Sequence, residues 1–380
     1  MKFHRLAPFG LLCMLAGAST LSAAGIDSSS AVFIILMENH NWSSIKGSAS
    51  APYINNTLLP IASYTDQYYN PAGIHPSEPN YLWLEAGTNF GITNDNLPSS
   101  NHQSTTSHFV TLLKNAGISW KTYQENITGT TCPTANSYPY APKHNPFVFF
   151  DDVVNAGCTT TMRPFTELAG DLTNHTTAHY NFITPNLIND MHDSAAPLNN
   201  PVQQGDTWLS QNLPMILQSD AYKNNGVILI TWDEGVSGDG PIGMIVLSPQ
   251  ARGGGYHNTI PYTHSSTLRT LQKIFGVRPF LGGAATALDL SDLFVLNDIP
   301  NADSQITIQQ ITYTPGTCTI KWQSQSGLAY RVQWKNSLSD TWQSITPDKT
   351  GTGLILSWAD DGTQTGSAPS SQRFYRVVVP

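Results

Sequence analysis

The stretch AVFIILMENHN, residues 31–41, decides the fold. Six consecutive apolar residues, Ala31 to Leu36, are the pattern of a strand buried on both faces. The run then ends on an acid and an amide, Glu38 and Asn39. NGVILITWDEG (225–235) repeats the plan and ends on Asp233 and Glu234, and IGMIVLSP (242–249) is a third such run. SHFVTLLKNAG (107–117) and HSSTLRTLQKIFG (264–276) read as helices, and both end on glycine, as helix C-termini often do. Buried strands alternating with helices predict an α/β domain whose mostly parallel sheet is covered on both sides. Ligand sites of such sheets form at the carboxyl ends of the strands, where long Asn-, Gly- and Pro-rich connections lie.

From about Ile306 the character changes. ITIQQITY, CTIKWQS, AYRVQWK, LILSWAD and FYRVVV are short alternating runs between turn residues, which predict a small antiparallel β-sandwich. The organisation expected is a signal peptide over 1–24, a catalytic domain over 25–300 and an accessory sandwich over 301–380. Trp322, Tyr330, Trp334, Trp342 and Trp358 fit the sandwich core better than a carbohydrate platform, because aromatics at alternating spacing usually face inward.

Lys2, His4 and Arg5, the short apolar stretch LAPFGLLCMLAG and the small residues LSAAG form an export signal with cleavage near Ala24. The expected location is therefore secreted or periplasmic. Loss of Lys2 and Arg5 leaves 16 basic against 26 acidic residues, a net of −10. That balance, with no basic cluster, argues against binding nucleic acid or an anionic membrane. No further segment is apolar enough for a transmembrane anchor. Cys132 and Cys158 lie in a polar, loop-rich stretch, and an oxidising compartment favours joining them, whereas Cys318 reads as a buried thiol.

An otherwise apolar strand has no structural reason to stop in two oxygen ligands. Two such ends, converging, would repel unless a cation lay between them. Either pair alone could equally cap a helix or face solvent. HPSEPNYLWLEAG (75–87) supplies a third element, Ser77, two residues before Pro79 at the mouth of an apolar helix. Ser77 can be the cap of that helix. It can also be a nucleophile at an anion-binding helix N-terminus, activated by a nearby metal, with Asn80 one turn on as a phosphate donor. The stretch alone leaves both open. His75 reads as shaping the loop, and Glu78 as a first-turn acid.

S-x-P-N before an apolar helix resembles the nucleophile motif of the alkaline phosphatase superfamily. More closely, MENHNW, HPSEPNYLWLEAG, HNPFVFFDD, PNLINDMHD, TWDEG and YTHSSTLRTLQKIFG, in this order between Val32 and Phe294, resemble the phosphoesterase family of bacterial acid phosphatases and phospholipase C-type enzymes. The resemblance implies a three-layer αβα, alkaline phosphatase-like domain acting on a small phosphate ester. It implies that Glu38, Asn39, Asp233 and Glu234 hold a metal together with Ser77, which attacks phosphorus and forms a phosphoserine. It gives His144 and His192 the task of holding phosphoryl oxygens or protonating the leaving group, with Asp190 and Asn186 orienting them. His264 falls where the wider superfamily has a late metal-binding histidine. Asn39 and Glu234 stand where Asp and His are expected in the two-zinc branch. The donor set is then nearly all oxygen, which favours one Mg²⁺, Ca²⁺ or Mn²⁺ over two zinc ions, with zinc not excluded.

Three functions follow. A phosphomonoesterase of acid phosphatase type is favoured by the short chain and the serine nucleophile. A phospholipase C-type phosphodiesterase would use the same residues. A non-catalytic surface binding protein would have been expected to lose at least one of them.

Overall fold

A computed structural model describes residues 26, 30–236, 238–295, 306, 308–324, 329–352, 354–369 and 372–378. The export signal expected over 1–24 and the domain boundary expected near 300 lie outside them. The chain divides into two compact units, one running to Ala302 and the other from Asp303.

The strands of the first unit are β1 (Val32–Met37), β2 (Ser63–Thr65), β3 (Tyr68–Tyr69), β4 (Trp120–Gln124), β5 (Met162–Pro164), β6 (Tyr180–Thr184), β7 (Val227–Trp232), β8 (Met244–Leu247), β9 (Tyr256–Asn258) and β10 (Tyr262–Thr263). Eight of them form one sheet in the order β5-β4-β6-β1-β7-β8-β2-β9, and β3 pairs with β10 apart from it. The five strands from β5 to β7 are all parallel. β8 runs against β7, and β2 against β8. The sheet is thus mostly parallel, and the third apolar run, 242–249, contributes its reversed strand.

The longer helices are α1 (Ser77–Ala86), α2 (Phe109–Asn115), α3 (Pro201–Leu217) and α4 (His264–Phe275). Gly117 and Gly276, the expected helix stops, both have positive φ, which glycine adopts without strain. Alternation along β1 assigns the layers. Tyr180 of β6 is in register with Val32, and its ring meets Phe109 of α2 and Phe275 of α4. Met37, five residues on, points to the other face. A Cβ on Gly205 of α3 would lie 2.8 Å from the Met37 Cε, so α3 covers that second face. Helices on both faces of the sheet make the three layers expected of the domain.

The register also builds the site. Met37 of β1 pairs with Trp232 of β7, so Glu38 and Asp233 leave the sheet side by side. Glu38 lies an even number of residues from Val32 and turns to the face that carries α1 and α4. The loops after β4 and β6, which hold His144 and His192, leave from the same end of the sheet. A disulfide joins Cys132 to Cys158 within these connections. Among the described residues no helix is long and apolar enough to cross a membrane.

In the second unit the described strands all pair antiparallel. Ile308–Thr314, Thr317–Gln323 and Ile355–Asp360 form one sheet. Ala329–Lys335 pairs with Phe374–Val378 and with the short strands Gln343–Ser344 and Lys349–Thr350. Trp322, Tyr330, Trp334 and Trp358 are buried together in its core, as their spacing predicts. Trp342 instead lies under the cations of Lys335 and Arg376. Cys318 is a buried thiol.

Candidate active site

Ser77 is the first residue of α1, and the cap position belongs to Pro76. The serine therefore does not cap the helix. Its hydroxyl donates to Glu38 Oε2 at 2.9 Å, and both residues are buried. Tyr81, one turn along on the same face of α1, donates from its hydroxyl to Glu38 Oε1 at 2.5 Å. His144 Nε2 lies 3.1 Å from the same Oε2 that Ser77 holds. Glu38 is thus the hub of the site, with one oxygen between the serine hydroxyl and the imidazole.

The backbone N–H of Asn39 donates to Asp233 Oδ1 at 2.9 Å, with Asn39 at φ +42°. Asp233 Oδ2 and Asn39 Oδ1 are buried with no hydrogen-bond partner, and so is His144 Nε2. Such orphaned atoms are costly unless something absent from the chain satisfies them. Burial pushes the Glu38 carboxyl up, and it pushes Asp233 well above the usual carboxylate range with Glu38 adding to the effect. Two buried carboxylates side by side, with unspent oxygens around them, fit a divalent cation. Glu38, His144 and His192 also bring ligating atoms within 4.8 Å of one another. Those three atoms form a grouping separate from the oxygens of Asn39 and Asp233, and its two nitrogens would suit Mn²⁺ or Zn²⁺.

Glu234, the fourth expected ligand, is turned toward a different network. Its Oε2 accepts from His75 Nδ1 at 2.6 Å and from Asn80 Nδ2 at 3.0 Å. Burial, and then Asp233, raise its carboxyl to about 8. His75 spans to Asp239 Oδ1 at 3.0 Å, so it holds Glu234 between two acids and does more than shape the loop. Asn80 spends its amide N–H groups on Glu234 and on the carbonyls of Ile74 and Pro76. Its expected role as a phosphate donor has no free donor behind it.

Asp190 holds the ring of His144 and the backbone of His192. Its Oδ2 accepts from His144 Nδ1 at 3.1 Å, and its Oδ1 accepts from the His192 backbone N–H at 2.8 Å. Burial raises the Asp190 carboxyl to about 7, with His144 pulling it back. His192 Nδ1 lies 2.7 Å from Asp193 Oδ1, which leaves Nε2 as the acceptor facing the site. Asn186 does not reach either histidine. Its side chain accepts from the backbone of Ile188 and Asn189 and donates to Asn126, so it builds the loop.

His264 is committed to the fold. Its Nε2 donates to the Asp233 carbonyl at 2.6 Å, and its Nδ1 accepts from the Tyr68 hydroxyl at 3.1 Å. Burial holds its pKa down to about 4. A neutral ring with both nitrogens occupied offers nothing to a metal or a substrate; it supports the backbone of Asp233. Glu78 is in the first turn of α1; it is buried, accepts from Asn101 at 2.8 Å and is raised by burial to about 8.

Tyr81, Lys143 and Asp95 were not foreseen. Tyr81 had a signal, its i+4 spacing from Ser77. Lys143 had only its adjacency to His144.

The pattern of the phosphoesterase family matches residues 61–241. A phosphatidylinositol-3-phosphatase of Mycobacterium tuberculosis is 31% identical over 275 residues, 72% of this chain and 86% of that protein. A probable acid phosphatase of Kluyveromyces lactis is 32% identical over 53% of this chain and 47% of its own, and a phosphate-repressible acid phosphatase of Penicillium chrysogenum is 30% identical over 55% and 51%. The chain spans about half the length of these two fungal relatives. A solved Vibrio parahaemolyticus protein of the alkaline phosphatase superfamily superposes with a TM-score of 0.49 at 11% identity, over 86% of this chain and 83% of that one, a likeness too slight to argue from. By its match to the mycobacterial phosphatase across most of both chains, this protein belongs to the phosphoesterase family and is a hydrolase of phosphate esters.

Proposed function

We propose that the protein is a secreted, metal-dependent phosphomonoesterase of acid phosphatase type that works through a phosphoserine on Ser77. The observation that carries this reading is the Ser77 hydroxyl held 2.9 Å from Glu38 beside the partnerless Oδ2 of Asp233. Glu38, Asn39 and Asp233 would hold one divalent cation together with Ser77, while Glu234 stays with His75 and Asn80. When bound, the cation would lower the pKa of the Ser77 hydroxyl and draw charge from the phosphoryl oxygens.

Ser77 gives its proton to Glu38 as Oγ bonds to phosphorus. The bond to the leaving oxygen breaks as that oxygen takes a proton from a water molecule, and the hydroxide so formed is the next group to meet phosphorus. His144, fixed by Asp190, steadies the phosphoryl group. That hydroxide, oriented by the accepting Nε2 of His192, attacks the phosphoserine, and the Ser77 oxygen departs with the proton kept by Glu38. The relatives named above are all phosphatases, which favours monoesters over the phospholipase C-type alternative and over a non-catalytic binding role. The Cys132–Cys158 disulfide supports an exported protein, and the second unit is assigned an accessory role.

The test is hydrolysis of a chromogenic phosphomonoester and its matched diester, with and without chelator, by wild type and Ser77→Ala. Full activity of Ser77→Ala on every ester the wild type cleaves would overturn the assignment.

A further inference from the structure

Lys143 is a cation set among acids, and the mechanism above does not use it. It shares a one-turn helix, Pro142–His144, with the imidazole that faces Glu38. Its Nζ donates to Asp95 Oδ2 at 3.1 Å and lies 3.3 Å from His192 Nε2. Because His192 Nδ1 is engaged with Asp193, Nε2 carries the lone pair and the ammonium donates to it. Asp95 is anchored in turn, since its Oδ1 accepts from the Glu78 backbone N–H at 3.0 Å, one residue past Ser77. Only a fifth of the lysine side chain is exposed, a position that costs hydration and that a simple surface ion pair would not need.

The charge around it is lopsided. Glu38, Asp190 and Asp233 are buried, and Glu234 nearly so. A phosphomonoester dianion entering beside these acids is repelled unless cations outnumber them locally, and one divalent ion does not reverse the balance. In two-metal phosphatases a second ion answers this need. Here Glu38, His144 and His192 are spaced as a second ion would use them, but the ammonium sits 3.3 Å from one of those nitrogens and bars another cation by like charge.

We propose that Lys143 binds a non-bridging oxygen of the phosphate ester and sets a preference for dianionic monoesters over monoanionic diesters. A monoester offers one more charged oxygen than a diester, and the lysine is the group placed to take it. The inference rests on the phosphatase reading above, deepening it by naming the residue that selects the substrate class.

The test compares wild type, Lys143→Met, Lys143→Gln and Lys143→Arg on a chromogenic phosphomonoester and its matched diester, with metal content and Tm measured for each. A lost charge-assisted contact should lower monoester kcat/KM by about 10- to 100-fold in Met and Gln. The diester should suffer much less, so the monoester-to-diester ratio should drop by roughly fivefold or more. Arg should keep most of that ratio, and metal per chain should stay at the wild-type value. An unchanged ratio, an Arg variant as impaired as Met and Gln, or loss of metal on neutralising the lysine would each overturn the proposal. Failure of the underlying reading looks different: Ser77→Ala would stay active while the Lys143 variants still changed the ratio.

Discussion

Asp190→Asn isolates the residue that holds the His144 ring and the His192 backbone without touching the serine. Asp190 is fully buried, and its two oxygens accept from His144 Nδ1 and from the His192 backbone N–H. An asparagine of the same shape keeps one acceptor and presents an N–H₂ group where the other was. The backbone N–H of His192 cannot change, so the amide oxygen stays with it and the amide nitrogen faces His144. That ring must then adopt the opposite tautomer, with Nδ1 accepting and Nε2–H directed at Glu38 Oε2, 3.1 Å away. The oxygen that receives the Ser77 proton thereby gains a competing donor. One charge-assisted hydrogen bond to a buried carboxylate is worth about 1.5–3 kcal/mol, or about 10- to 150-fold in rate if it is lost from the transition state. Supporting residues of this kind typically cost about 10- to 100-fold. Steady-state kinetics on a chromogenic monoester should therefore show kcat/KM reduced by about 10- to 100-fold, with Tm within a few degrees of wild type. Activity within twofold of wild type would refute the claim that Asp190 sets the His144 tautomer.

Removing divalent metal with a chelator should abolish ester hydrolysis, and adding Mn²⁺ or Mg²⁺ back should restore it; activity that survives in metal-free protein, verified by elemental analysis, would contradict the site. Gly205→Ala would place a Cβ 2.3 Å from Met191 Cγ and 2.8 Å from Met37 Cε, so denaturant unfolding should show a loss of about 1–3 kcal/mol. Burial alone would raise the Asp171 carboxyl, but the Lys121 ammonium and the Tyr123 and Thr176 hydroxyls hold it below its ordinary value near 3.8. A depressed carboxyl contributes stability above its unfolded pKa and loses it as pH falls through the folded value. Asp171→Asn should therefore be destabilised by about 1–3 kcal/mol at pH 7, and the gap from wild type should narrow in urea titrations as pH falls through the depressed carboxyl's range.

The sheet was legible because a strand buried on both faces is a continuous apolar run, and Val32–Met37 and Val227–Trp232 are such runs. Their acidic ends were legible for the same reason, since Glu38 and Asp233 interrupt a pattern that burial otherwise explains. Strand direction was not written there. Nothing in Met244–Leu247 says that it reverses, because direction is set by the connection and not by the strand. Loop chemistry was harder. PNLINDMHD offers several polar side chains, and only the folded turn shows that Asp190 reaches the histidines while Asn186 hydrogen-bonds its own loop. Asn80 and His264 were misjudged because residue type gives bonding capacity, whereas neighbours decide where it is spent. Lys143 had no pattern to mark it, since its meaning depends on Asp95 and His192, about fifty residues away on either side.

The central claim, a covalent phosphoserine on Ser77, is tested most directly by acid-quenching the wild type during steady-state turnover of a phosphomonoester and mapping the modified peptide by mass spectrometry. The account predicts one phosphoryl group on Ser77 that is absent when substrate is omitted and absent in Ser77→Ala. A phosphoryl group on another residue, or quenched protein carrying none while product accumulates in a burst, would contradict it.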